Sequence, residues 1–396
     1  MASLITAVPK PVDARPLIVH VVYRFSVGGL ENGVVNLINH LPAHKWRHAV
    51  VALTEVDESF AARVVRKDVR FLALHKGPGQ GFRLFPRVWR LLRELRPAIV
   101  HTRNLAALEM QAPAWAARVP GRVHGEHGRD ADDVDGTNRS NILIRRTYRR
   151  FVQQTIALGG EITRYVRDQV HVPPQALHTI YNGVDMARFQ PASTRMPIAD
   201  SPFTDSRLWL VGTVGRMMTV KAQPLLAEAF VLALQQQPGL RDRLRLVMVG
   251  DGPLRQECEL ILARAGMSEL AWFPGERTDV PDVMRGLNCF ALPSLVEGIS
   301  NTILEAMASA LPVLATRVGA NAELVQEGVT GHVVSSGDPQ ALARGLLSLA
   351  ANPQAAMGMG KAGREAVERR FSMQAMVDAY ERVYEQVLQT PASGSK

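Results

Sequence analysis

Residues 208–221, LWLVGTVGRMMTVK, decide the fold. Leu208–Val214 is a short apolar run with β-branched residues, which predicts a strand buried on both faces of a parallel sheet. Gly215 ends the run, Arg216 and Lys221 follow, and a helical pattern begins. A glycine that admits a ligand close to the backbone, beside two fixed cations, suits a diphosphate. The spacing is not that of a Walker loop. Read alone, the stretch fits equally a surface loop with two solvated cations.

The same strand, loop and helix unit recurs in both directions. Downstream, Leu244–Val249 (LRLVMV) reads as a strand closed by Gly250-Asp251-Gly252-Pro253, and Cys289–Pro293 and Val313–Ala315 read as two more. Upstream, Pro16–Tyr23 (PLIVHVVY), His48–Leu53 and Ala98–His101 are strands, with helices expected over Glu31–Leu41 and Phe85–Leu95. Strands separated by helical stretches of 10–15 residues imply βαβ units. Residues 190–206, rich in Pro, Ser, Thr and Asp, have the composition of a linker. Met373–Leu388 carries an apolar stripe at Met376, Val377, Tyr380, Val383, Tyr384 and Val387, which predicts a helix.

The expected class is therefore α/β, with two Rossmann-like, doubly wound parallel-sheet domains facing a central cleft. Residues 1–15 are expected to form a disordered lead-in, 16–195 the first domain and 196–372 the second. A final helix over 373–390 is expected to pack back toward the first domain. Ligands of such sheets bind beyond the carboxyl ends of the strands.

Composition narrows the function. Residues 1–200 hold 28 Lys and Arg against 17 Asp and Glu, while residues 201–396 hold 18 against 20. The basic first half suits an anionic partner, a membrane surface or a phosphate-bearing substrate. No zinc-finger or RRM-like signature points to nucleic acid. No apolar run is long enough to span a membrane, and the start lacks the apolar core of a secretion signal. Cys258 and Cys289 sit in apolar surroundings and read as buried, inert thiols, in keeping with a reducing cytoplasm.

The densest chemistry lies in Glu297-Gly298-Ile299-Ser300-Asn301-Thr302-Ile303-Leu304-Glu305. Gly298 to Asn301 predicts a turn opening a helix over Asn301–Ser309, so free backbone N–H groups gather at a positive helix end. Glu297 stands at its mouth and Glu305 about two turns on. Two carboxylates at that spacing suit the vicinal diols of a sugar and a ribose. A capped helix with two solvated acids fits the spacing as well. Gly28 and Gly29 follow the first strand and permit close approach of backbone to ligand. His124 and His127, in HGEHGRD, follow a probable strand, where a histidine can contact a sugar or move a proton. Asp130-Ala131-Asp132 has an Asp-x-Asp form, but it stands in an acidic run far in sequence from the phosphate-binding candidates. No metal site is assigned.

Taken together, GGLENGVV, YNGVD with Phe189, VGRMMTVK, VMVGDGPLR, WFPGERTDV and EGISNTILEAMASALPVLATRVGANAELV resemble glycosyltransferase family 4, retaining enzymes of the GT-B fold. The likeness runs from about residue 16 to 385. It implies that Arg216 and Lys221 neutralise the donor diphosphate without a metal ion or other cofactor. Glu297 would contact donor-sugar hydroxyls, and backbone amides of Gly298, Ile299, Ser300 and Asn301 would hold sugar and phosphate. Glu305 would bind the ribose, and Gly275 to Val280 would lie along the base. Gly28 and Gly29 would face the donor from the opposite domain. His127 matches the histidine near the anomeric carbon, with His124 its rival. Ser300 stands where proline is frequent, Ala310 and Ala320 where glycine is, and Ala322 where proline is.

The expected partners are a nucleotide-sugar donor, a glycan or lipid-linked acceptor and an anionic membrane surface. More narrowly, HGEHGRD, DDVDGTN and the basic stretch Ile144–Phe151 resemble sugar transferases of PEP-CTERM/exosortase exopolysaccharide systems. Phe82–Arg96, with five arginines among large apolar residues, fits either a basic amphipathic helix on anionic lipid or an ordinary helix covering the first sheet. A nucleotide-sugar epimerase on the same fold and a non-catalytic nucleotide-sugar-binding protein remain the alternatives. No G-x-G-x-x-G follows the first strand, which argues against a Rossmann dehydrogenase.

Overall fold

The computed structural model describes residues 13–77, 79, 81–128, 133, 136–389. The expected lead-in lies outside these residues up to Val12, as do Asp130 and Asp132. The chain divides into two compact units. Of the described residues, one unit comprises those within 13–125, 139–155 and 381–389, the other those within 126–138 and 156–380.

Among the described residues, thirteen strands form two sheets. In chain order they are β1 (Leu17–Val22), β2 (Arg47–Ala52), β3 (Arg70–Ala73), β4 (Ile99–Arg103), β5 (Gly121–Glu126), β6 (Gln154–Leu158) and β7 (Leu177–Ile180), then β8 (Trp209–Val214), β9 (Leu244–Val249), β10 (Ala271–Gly275), β11 (Cys289–Leu292), β12 (Val313–Thr316) and β13 (Gly331–Val334). The sheet orders are β3-β2-β1-β4-β5-β6-β7 and β10-β9-β8-β11-β12-β13. Both place the first strand of the set inside the sheet and wind outward from it, the doubly wound arrangement. Strand β1 runs parallel to β2 and β4, and β8 runs parallel to β9 and β11.

Burial explains why these runs are strands. All six residues of β1 are buried, and β8 is buried from Trp209 to Thr213. Helices cover both faces, so the strands read as unbroken apolar runs rather than alternating ones. One core gathers Val211, Leu246 and Ala291 against Leu226, Phe230 and Leu346, and another gathers Leu210, Phe290 and Val313 against Ile303 and Met307.

The stretch 190–206 is irregular, yet it is more than a tether. Ile198 and Phe203 are buried in the core with Leu210 and Phe290, and Met196 N donates to Arg285 O at 3.0 Å. Isolated apolar residues without periodicity can anchor coil in this way, which the composition conceals. In the helix Met373–Gln389 all six residues of the apolar stripe are buried. Beyond residue 380, Trp46 Nε1 donates to Glu381 at 2.9 Å, and Tyr384 Oη lies 2.8 Å from His101 Nδ1.

Candidate active site

Two strand-end loops of the second unit meet. After β8, Gly215 N donates to Val249 O at 3.0 Å and Met217 N to Asp251 O at 2.8 Å, which holds the loop to the end of β9. Gln223, in the helix Gln223–Gln236, fixes the loop from the other side by donating to Arg216 O at 3.0 Å. After β11, Leu295 N and Val296 N both donate to Val220 O, at 2.9 and 3.3 Å. The residue before Lys221 is thereby clamped to the residues before Glu297.

The clamp aligns three side chains. Lys221 Nζ lies 2.6 Å from Glu297 Oε1, and Ser294 Oγ donates to the same oxygen at 2.6 Å. The Glu297 side chain is 7% exposed and the Lys221 side chain 30%. An ammonium has three N–H donors, so two remain for another anion. Arg216 is exposed, with Nη1 3.9 Å from Met218 Sδ. Its charge is therefore available to solvent or ligand.

Next to this cluster the helix Asn301–Ala308 begins. Ser300 is its N-cap, and its Oγ accepts from Ile303 N at 3.3 Å. A serine here caps through its hydroxyl, which a proline could not do. The turn before it is braced by Ala320 N donating to Gly298 O at 3.0 Å, and Asn182 Nδ2 donates to Asn301 Oδ1 at 2.8 Å. Gly319 adopts φ +51°, and a Cβ there would fall 2.2 Å from Glu297 O. Only glycine fits that turn, so its backbone sets the height of Glu297.

Glu305 is half-buried on the same helix. Burial pushes its carboxyl up to about 7, while the charge of Arg188 pulls the other way. In the loop Gly275 to Val280, Arg277 pairs with Asp279 at 2.6 Å and lies 5.6 Å from the Trp272 ring centre.

The two histidines part company. His124 lies within β5, buried, with Nδ1 2.9 Å from Thr102 Oγ1. It is a sheet-interior residue rather than one at a strand end. His127 comes just after β5, and its carbonyl oxygen is 3.6 Å from where a Cβ on Gly298 would lie. His127, Gly298 and the Lys221–Glu297 pair thus belong to one locality of the second unit.

In the first unit, Gly28 caps the helix Gly29–His40 in extended backbone, and a Cβ there would meet Glu31 Oε2 at 2.2 Å. Gly29 has open space where a side chain would stand. Burial raises the Glu31 carboxyl, opposed by its own backbone N–H and by Arg103. Arg103, at the end of β4, is buried with Nη1 3.1 Å from His20 Nδ1.

Ser294 joins the Glu297 carboxylate although nothing in the sequence beyond its place after β11 marks it. Among the described residues, no group of three or more His, Cys, Asp or Glu side chains is arranged to hold a metal ion.

Residues 27–188 match the family model "Glycosyltransferase Family 4", and residues 209–352 match "Glycosyl transferases group 1". The lipopolysaccharide core biosynthesis mannosyltransferase LpsB of Rhizobium meliloti (strain 1021) is 30% identical over 259 residues, 64% of this chain and 69% of that protein. The UDP-Gal:alpha-D-GlcNAc-diphosphoundecaprenol alpha-1,3-galactosyltransferase of Escherichia coli is 26% identical over 305 residues, 75% of this chain and 77% of that protein. The match to a D-inositol 3-phosphate glycosyltransferase of Streptomyces scabiei (strain 87.22) is 28% identical over 66% of this chain and spans 55% of that protein. Among solved structures, Anabaena Alr3699/HepE in complex with UDP superposes with a TM-score of 0.78 at 19% identity, covering 94% of this chain and all of that one. At that identity the likeness speaks for the fold alone.

Proposed function

The chain belongs to glycosyltransferase family 4 and has the GT-B fold, so it is a sugar-transferring enzyme, and on that premise we propose its chemistry. It is a retaining transferase that needs no metal ion. It moves a hexose-type sugar from a nucleotide-diphosphate sugar to a glycan or lipid-linked acceptor. The observation that carries this reading is the Lys221–Glu297–Ser294 cluster on two clamped strand-end loops, beside a helix start capped by Ser300.

In this reading Arg216 and Lys221 bind the diphosphate, and Glu297 accepts hydrogen bonds from donor-sugar hydroxyls. The amides of Gly298, Ile299, Ser300 and Asn301 hold sugar and phosphate, Glu305 takes the ribose diol, and His127 lies near the anomeric carbon. As the bond from the anomeric carbon to the phosphate oxygen breaks, negative charge grows on the leaving diphosphate. In this reading the two cations and the helix start stabilise it. The sugar becomes oxocarbenium-like. The acceptor hydroxyl attacks from the face the phosphate leaves, and its proton passes to the departing phosphate oxygen.

The names of two relatives, a lipopolysaccharide core mannosyltransferase and an undecaprenol-linked galactosyltransferase, support a place in bacterial exopolysaccharide or envelope glycan synthesis. The HGEHGRD, DDVDGTN and 144–151 stretches support the PEP-CTERM/exosortase-associated subgroup. Cys258 and Cys289, both buried and free, support a cytoplasmic setting. Among the described residues no helix is long and apolar enough to cross a membrane.

The test is a panel of nucleotide sugars scored by thermal shift, since a bound donor stabilises the fold by mass action. Transfer is then assayed with the donor that binds, in EDTA. Selective stabilisation with turnover kept in EDTA is expected. Turnover lost in EDTA and restored by magnesium or manganese overturns the metal-independent reading. A panel with no response overturns the donor assignment.

A further inference from the structure

In the first unit, the described residues leave an apolar surface uncovered. The helices Phe85–Leu95 and Gln111–Ala116 and the single turn Arg149–Phe151 meet around an open cavity of about 370 Å³. Every residue lining it is apolar, chiefly Phe85, Trp89, Pro113, Trp115 and Phe151. Trp89 is 42% exposed and Trp115 56%. The Trp115 and Phe151 rings lie 5.5 Å apart.

The helix Phe85–Leu95 shows why the surface is uncovered. Val88 and Leu92 are buried one turn apart, so one stripe covers the sheet. Pro86, Trp89, Arg90 and Arg93 share the opposite, exposed face, and Phe82 is exposed just ahead of the helix. An ordinary covering helix would carry polar residues on that face. Here a tryptophan stands among arginines.

Charge identifies the occupant. Residues 82–96 hold five arginines against Glu94 alone, and residues 139–151 hold five arginines and no acid. Arg83, Arg90, Arg93, Arg118 and Arg150 are exposed. Leu143 and Ile144 are exposed on the helix Arg139–Tyr148. Exposed tryptophan beside arginine suits the boundary of a bilayer, where the indole sits at headgroup depth and guanidinium groups hold lipid phosphates. A second copy of this chain would bring arginine against arginine and be repelled.

We propose that this face docks the protein on an anionic lipid bilayer, with Trp89 and Trp115 entering the headgroup layer and the surrounding arginines holding lipid phosphates. The docking does not rest on the transfer reaction.

The full chain is mixed with phosphatidylcholine vesicles and with phosphatidylcholine–phosphatidylglycerol vesicles, and sedimentation and tryptophan emission are recorded. Binding to the phosphatidylglycerol vesicles alone is expected, weakening as salt rises. Lipids with brominated acyl chains quench the emission of the bound protein. Trp89→Ala with Trp115→Ala, and separately Arg90→Glu with Arg93→Glu, each lower vesicle partitioning by about tenfold or more. All four residues are exposed, so circular dichroism should match the parent. Equal binding to both vesicle types, no binding to either, or partitioning unchanged in the tryptophan variant overturns the proposal. So does a lipid-independent dimer that the tryptophan variant abolishes.

Discussion

Lys221 Nζ and Glu297 Oε1 stand 2.6 Å apart across the junction of the loops after β8 and β11, and the same carboxylate oxygen also takes the Ser294 hydroxyl. The contact gives each residue a task in packing, and the proposed function adds a second toward the donor. Lys221→Ala leaves a nearly buried carboxylate with one neutral donor. Because the lysine is partly exposed, water replaces part of what is lost, and the stability cost should be about 1–2 kcal/mol. If Lys221 binds the leaving diphosphate as proposed, transfer should fall much further, by about a hundredfold or more. Thermal melts and a sugar-transfer assay separate the two effects. Turnover within a few-fold of the parent contradicts the assigned role.

Glu297 is also set from behind by Gly319. At φ +51° a side chain is strained, and a Cβ would sit 2.2 Å from Glu297 O, inside any real contact. Gly319→Ala should destabilise the second unit by about 2–4 kcal/mol and displace the Glu297 turn. Gly337→Ala is the control. Its φ is +72° with nothing within 4 Å of the added carbon, so it should cost only about 1 kcal/mol. If the two variants melt together, the backbone contact does not position Glu297.

Much of this arrangement was readable beforehand, for a physical reason. Strands covered on both faces are near-continuous apolar runs, so Leu244–Val249 lies where the pattern puts it, and the helix Phe85–Leu95 follows from its helical apolar spacing, with Val88 and Leu92 buried. Chemistry at strand ends follows from the doubly wound topology, which is how Arg216, Lys221 and Glu297 stand out. Ser294 carries no pattern of its own, because its role depends on a carboxylate folding back over it. His124 misleads because a histidine inside a parallel strand looks like one at its end until the register Thr102↔His124 is known. Ile198 and Phe203 are invisible in the sequence because two anchors in a polar coil have no period to detect.

Glu305 gives a pH dependence with a defined sign. Its folded carboxyl titrates at about 7 instead of its ordinary 4.5 because burial disfavours the charge. A raised carboxyl costs nothing below the ordinary value. The cost grows as pH rises from about 4.5 to about 7 and is complete above that, at most about 3 kcal/mol. Glu305→Gln should therefore melt higher than the parent at pH 8 and much like it at pH 4.5. If the ionised carboxylate takes a ribose diol, nucleoside diphosphate affinity of the parent should rise about tenfold from pH 6 to pH 8, relative to Glu305→Gln. Parallel titrations of the two proteins by calorimetry would remove Glu305 from the ribose role.

The two thiols should be silent in the native protein. Burial pushes Cys258 up to about 12 and Cys289 higher still, so neither forms thiolate at neutral pH. A thiol reagent such as Ellman's should label neither in buffer and both in denaturant. Rapid labelling of either in buffer would show that its part of the second unit opens, the helix Arg255–Arg264 for Cys258 or β11 for Cys289.

Ala310 holds a left-handed backbone at a conformational cost. It follows the helix Asn301–Ala308, at φ +57°. There Leu311 N donates to Ala306 O and Ala310 N to Met307 O, both at 3.0 Å. That pair of bonds closes a helix through one left-handed residue, a position glycine fills most easily. An alanine methyl group costs about 1 kcal/mol in this conformation, more than the entropy it saves in the unfolded chain. Ala310→Gly should therefore stabilise the second unit by about 0.5 kcal/mol and raise its melting temperature by about 1–2 °C, with transfer unchanged. The opposite change nearby should do harm. A Cβ on Gly360 would lie 2.0 Å from Ala310 O, so Gly360→Ala should push the helix end away and lower the melting temperature by several degrees. Differential scanning calorimetry of the two variants checks both signs. A lower melting temperature for Ala310→Gly would mean that its methyl group contributes more by packing than the left-handed backbone costs.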